Sequence, residues 1–121
     1  MLGRNMLICA VAVAVAAPAS AAMTTGTFVT RARALQAQGM TAVLSPDFQT
    51  LRGEANAATQ QLKADRAARA AAGKKPIACV PEGQSIGILD MLNGLDALSP
   101  AEKRLPLKDG YAHVLAKRFP C

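Results

Sequence analysis

Candidate reactive side chains gather in the second half of the chain. Gly83-Gln84-Ser85-Ile86-Gly87 has the G-x-S-x-G form of a hydrolase nucleophile elbow, and Asp90, Asp96 and Asp109, then His113, follow in the order Ser, Asp, His. That elbow needs a strand before it and a multistranded sheet to hold the acid and base. The preceding segment, Pro76 to Pro81, is instead a proline-flanked loop, and Ser85 as the N-cap of a following helix explains the same residues. His113 is the only histidine and lies about 200° around a helix from Tyr111, away from the apolar face. Two cysteines, Cys79 and Cys121, and one histidine make a poor ligand set for a metal, and no glycine-rich phosphate loop or helically spaced carboxylate pair is present. The expectation is a protein that is not an enzyme and takes no metal or cofactor.

What the two cysteines do depends on the compartment. Met1 to about Ala21 reads as a secretory signal peptide: Arg4 is the charged start, Met6 to Ala17 the apolar run, and Ala19-Ser20-Ala21 the small-residue cleavage site. Cys9 falls inside it, preceded by Ile8 where a lipid-attachment site wants a small residue. Cleavage should leave Ala22 or Met23 first, and a single domain of roughly 100 residues over 22–121, enough for one modest core. An even pair of cysteines in an exported domain implies one disulfide, Cys79 to Cys121, in a periplasmic or secreted location. Closing a loop of about 43 residues stabilises such a fold by roughly 4 kcal/mol in the chain-entropy treatment. A metal site or a reactive thiol is the competing reading.

Composition sets the class of fold. The 121 residues are 51% hydrophobic but only 3% aromatic, with no Trp. Alanine and leucine, which favour helix, carry the apolar fraction, while the aromatic and β-branched residues of strands are scarce. A small all-α domain of about four to five helices is expected, which excludes multi-domain and nucleotide-binding α/β enzymes. No stretch after the leader approaches the roughly 18 apolar residues of a spanning helix, so no stable membrane insertion is expected.

Five elements would position these residues. Thr27 can cap a helix to Gln38, with Phe28, Ala32 and Leu35 on one face and Gly39 as its stop. Met40 to Leu44 is an apolar connector. Ser45-Pro46-Asp47 opens a long helix ending at Gly73, with a stripe of Phe48, Leu51, Ala55, Ala58 and Leu62. Beyond Leu62 the stripe meets Asp65 and Arg69, so Lys63 to Ala72 should be solvated and projecting. Ser85 begins a third helix with Ile88, Met91, Leu92 and Leu95 inward. Ser99-Pro100-Ala101-Glu102 has capping-box spacing and starts a short helix ending before Pro106. The last helix, Lys108 to Arg118, turns Leu107, Tyr111, Val114, Leu115 and Phe119 inward.

The formal net charge is +6, and the leader contributes only Arg4 to it. Lys63, Arg66, Arg69, Lys74 and Lys75 stand against Asp65 at the end of the long helix. Cations there favour the helix dipole and keep an alanine-rich helix soluble. They also suit an acidic partner. Because the loop after them is tied at Cys79, it is pre-organised for association, and Arg66, Arg69, Lys74, Lys75, Glu82 and Gln84 are the expected partner-facing residues. Export and the absence of interleaved aromatics argue against nucleic acid.

As a unit, Cys79-Val80-Pro81-Glu82-Gly83-Gln84-Ser85 with its aliphatic helix, Leu98-Ser99-Pro100-Ala101-Glu102-Lys103-Arg104-Leu105-Pro106, and a last helix closing on Arg118-Phe119-Pro120-Cys121 resembles the Rap/Tai immunity family. The resemblance covers residues 79–121. It implies an all-helical, disulfide-linked exported inhibitor of type VI secretion effectors, notably peptidoglycan amidases, and it also implies the Cys79 to Cys121 bridge. Such a protein occludes an enzyme and has no chemistry of its own. A structural or chaperone-like periplasmic protein that engages envelope polymers or clients is the alternative, and self-association is left open.

Overall fold

Residues 22–121 are described by a computed structural model, and the expected signal peptide lies outside them. Five α-helices follow in order: α1 Thr25–Ala37, α2 Pro46–Ala71, α3 Ile88–Asp96, α4 Pro100–Lys103 and α5 Leu107–Arg118, with a 3-10 helix over Gly39–Leu44 between α1 and α2. The fold is all-α, and Cys79 and Cys121 form its disulfide, with Cα atoms 4.9 Å apart.

Capping chemistry decides most of the boundaries. Ser45 accepts from the Asp47 N–H with Pro46 at the first helical position, and Ser99 with Glu102 makes the complete capping box. The cap of α1 is Thr24 and not Thr27: the Thr24 side chain accepts from the Thr27 N–H at 3.2 Å, so the helix starts at Thr25, earlier than a Thr27 cap would have it. The reason is tertiary. Thr25 is fully buried, its N–H donating to Leu105 O at 2.9 Å and its hydroxyl to the same carbonyl at 3.1 Å, while the Leu107 N–H reaches back to Met23 O at 3.0 Å. A Cβ on Gly110 would stand 2.3 Å from the Thr25 hydroxyl oxygen, so only glycine lets α5 approach α1 this closely.

α2 ends as its sequence predicts. Gly73 takes φ +69°, Lys74 N–H bonds Arg69 O at 2.8 Å and Gly73 N–H bonds Ala70 O at 3.1 Å, the paired bonds of a Schellman motif. The core joins Val29 of α1, Ala58 of α2, Leu92 and Leu95 of α3, Leu98, and Leu107, Tyr111 and Val114 of α5. Phe28 meets Tyr111 edge to face, with centroids 6.3 Å apart. α2 and α3 each pack on both α1 and α5 but not appreciably on one another. That arrangement leaves a gap between them.

Candidate functional site

The G-x-S-x-G segment does not become an elbow. Residues 84–87 form an irregular connection with no strand, and the cap of α3 is Gly87, two residues after Ser85, with no side-chain bond. Ser85 is therefore neither a nucleophile on a sharp turn nor the expected cap; it is an exposed loop residue. His113 is exposed, as its helical phase predicts, and its Nδ1 lies 3.3 Å from Glu102 Oε2. Tyr111 sits in the core, and burial pushes its phenol up to about 12, so it stays protonated at physiological pH. Among the described residues no group of three His, Cys, Asp or Glu side chains could hold a metal ion.

What the fold builds instead is a groove of about 1020 Å³ along the gap between α2 and α3. Phe28, Ala32 and Leu35 of α1 and Tyr111, Ala112 and Leu115 of α5 form its floor. One wall is α2 from Phe48 to Arg69. The other is the loop after α2, through Pro76, Ile77, Ala78, Val80 and Ile86, and the start of α3 at Ile88 and Leu89. The loop is fixed at both ends: Arg69 Nε donates to Lys75 O at 2.8 Å, and Cys79 N–H donates to Phe119 O at 2.9 Å beside the disulfide. Ile88, expected inward, is 87% exposed, and Leu89 beside it is 59% exposed. Because α2 and α3 scarcely pack on one another, the first turn of α3 stays uncovered and forms the groove's apolar lip.

The two walls differ in charge. Arg52, Asn56, Thr59, Lys63 and Arg66 recur at spacings of three and four, so they form one row along the α2 edge, about 21 Å from Arg52 to Arg66 at the rise of an α-helix. The facing lip carries no charged side chain. Elsewhere the cations are matched: Arg31 with Asp47 at 2.6 Å, Arg33 and Lys103 with Asp96, Lys108 with Asp65, Lys117 with Glu102, and Arg118 with Asp90. Among the described residues Arg52, Lys63, Arg66, Arg69, Lys74, Lys75 and Arg104 have no carboxylate partner. All but Arg104 lie on α2 or directly after it.

Of the residues expected to face a partner, Arg66 and Arg69 line the groove. Arg69 is half-buried and partly committed to Lys75 O. Lys74, Lys75, Glu82 and Gln84 are exposed on the loop outside the lining, the last two in a turn closed by the Gln84 N–H to Pro81 O bond at 3.1 Å. The turns Lys63 to Ala72 are largely exposed but do not project freely: Asp65 reaches Lys108 of α5 at 3.4 Å, and Lys63, Arg66 and Arg69 border the groove. Sequence reasoning missed the groove itself. The α2 stripe does dock on the core, with Leu51 and Ala58 buried and Ala55 and Leu62 packed against the core cluster, but nothing in its spacing shows that its edge stays open opposite the exposed pair Ile88-Leu89. The chain matches no family model, no curated protein and no solved structure.

Proposed function

We propose that this chain is an exported interaction protein of immunity type, which binds a secreted effector enzyme such as a peptidoglycan amidase and blocks access to it sterically. The observation that carries this reading is the open apolar groove, edged by cations that the fold leaves without carboxylate partners. A monomer gains nothing in stability from such a surface, whereas a partner gains apolar burial and charge pairing from it. The likeness of residues 79–121 to the Rap/Tai family supports the same reading. The disulfide fits a periplasmic or secreted location, and no helix among the described residues is long and apolar enough to cross a membrane.

The test is inhibition. A photo-crosslinking residue placed at Leu89 captures the partner in the native host's periplasm, and the purified oxidised protein is then titrated into that partner's enzymatic assay. Stoichiometric loss of activity, relieved by Leu62→Glu, is the expected result. A captured partner that keeps full activity, or capture of anionic envelope polymer alone, overturns the immunity reading in favour of the structural or chaperone-like one.

A further inference from the structure

The shape of the groove limits what can lie in it, and its charge limits it further. The volume of about 1020 Å³ is at the top of the range for small-molecule sites, and it opens to solvent between two helical walls. Among the described residues there is no sheet whose edge could accept a strand. A flat bilayer cannot reach a floor recessed behind α2 and the lip formed by Ile88 and Leu89. A helix suits the shape: the α2 wall runs about 21 Å from Arg52 to Arg66, close to the length of four helical turns, and the open side of the groove leaves one face of such a helix in water. The asymmetry of the walls then fixes the charge. The α2 wall also carries Asp65, but that carboxylate is paired with Lys108 of α5 at 3.4 Å, so an apolar lip on one side and the row Arg52, Lys63 and Arg66 on the other suit a helix with an apolar face and a single acidic flank. A second copy of this chain would bring more positive charge to that row, since the formal net charge is +6.

Resting on the interaction-protein reading above, we infer that the groove is a receptor for an amphipathic helix of about four turns, its apolar face on Phe28, Ala32 and Leu115 and its acidic flank along Arg52, Lys63 and Arg66. The bound helix occupies the place of the helix that the α2–α3 gap lacks, at the usual 8–10 Å spacing of packed helices.

The probe is a blocked 18-residue designed helix with a leucine face and glutamates along one flank, and a twin carrying lysine for each glutamate, both titrated into the oxidised protein. The glutamate peptide should bind saturably at one to one and the lysine twin at least about tenfold more weakly, since a like-charge flank opposes the cationic row. Lys63→Glu with Arg66→Glu should reverse that preference. Ile88→Asp with Leu89→Asp should abolish binding of both peptides, and because both positions are exposed, the helical circular dichroism should be unchanged. Equal binding of the twins, or binding of neither, refutes the inference. So does anionic phosphatidylglycerol vesicle binding that displaces the glutamate peptide and depends on Lys63 and Arg66, or a dimer in sedimentation that the Ile88 and Leu89 variants dissociate. If neither peptide binds while the effector is still inhibited, the helix assignment falls and the immunity reading stands. If the glutamate peptide binds as described and no effector is inhibited, the reverse holds.

Discussion

Where α1, α4 and α5 meet, Arg33 and Lys103 share Asp96, His113 and Lys117 share Glu102, and Thr25 disappears against Gly110. Across the molecule, between α2 and α3, similar residue types are left apart: Arg52, Lys63 and Arg66 form no ion pair, and Ile77, Ile88 and Leu89 face water. Apart from Arg104, the first region has matched its charges internally and buried its apolar groups, so it supplies stability. The second has satisfied neither. The difference teaches that the binding face of a small domain is recognised by what the fold leaves unmatched, more than by the residue types present.

The largest expected effect sharpens this contrast. Leu95 is completely buried where α3 packs on the core, so Leu95→Ala should cost about 2–5 kcal/mol, whereas Leu89→Ala, one and a half turns earlier on the lip, should stay within about 0.5 kcal/mol. Urea unfolding of the two variants measures both, and equal losses would break the division into core and groove. Next comes the wall: Cys79→Ser or Cys121→Ser should each lower stability by up to about 4 kcal/mol, and by the same amount, because either variant opens the same loop. Two unequal losses would show that one sulfur does more than close it.

Glycines test the same contrast at smaller scale. A Cβ on Gly94 would meet Val114 at 2.7 Å, while one on Gly53 of α2 would meet nothing within 4 Å. Gly94→Ala should therefore destabilise by about 1–3 kcal/mol and Gly53→Ala should stabilise by about 0.5–1 kcal/mol, read as opposite shifts of the thermal midpoint. Among the caps, Ser99→Ala should cost about 1 kcal/mol, and Ser85→Ala, which caps nothing, should fall within about 0.5 kcal/mol. The smallest effect is in pH. The Ser99 backbone N–H and hydroxyl hold Glu102 below its ordinary 4.5, and the Arg31 guanidinium holds Asp47 below 3.8. Both folded values are depressed, so the stability these groups add is complete above pH 4.5 and is lost as pH falls through the lower folded values. Stability curves of the wild type and Glu102→Gln should converge on acidification; a gap that persists at low pH would assign Glu102's contribution to packing.

Much of the fold was legible because it rests on local chemistry. Ser45-Pro46 and Ser99-Pro100-Ala101-Glu102 announce helix starts through hydrogen bonds that close within a few residues, and Gly73 ends α2 because φ +69° favours glycine. Thr24 and Thr27 could each cap α1, and only the bonds of Thr25 to Leu105 decide between them. Ser85 fails as a cap for a related reason: it has the right residue type, yet α3 begins only after Gly87, which takes the cap position with an extended backbone. The exposed position of His113 followed from helical phase alone. Of the partner-facing set, Arg66 and Arg69 fell at the groove because they continue the α2 phase, whereas the floor under them comes from α1 and α5, distant in sequence.

By itself, the sequence determined an all-helical chain, since alanine- and leucine-rich segments punctuated by caps and prolines have few other low-energy conformations. It also determined which two cysteines of the described chain could pair. Only the tertiary structure decided that the stripe on α2 would be half covered. An amphipathic helix specifies that its apolar face seeks a neighbour, but the number of neighbours depends on how α1 and α5 hold α2 and α3 apart, and that separation is set by contacts such as Thr25 on Gly110 and Gly94 on Val114 that no local pattern encodes.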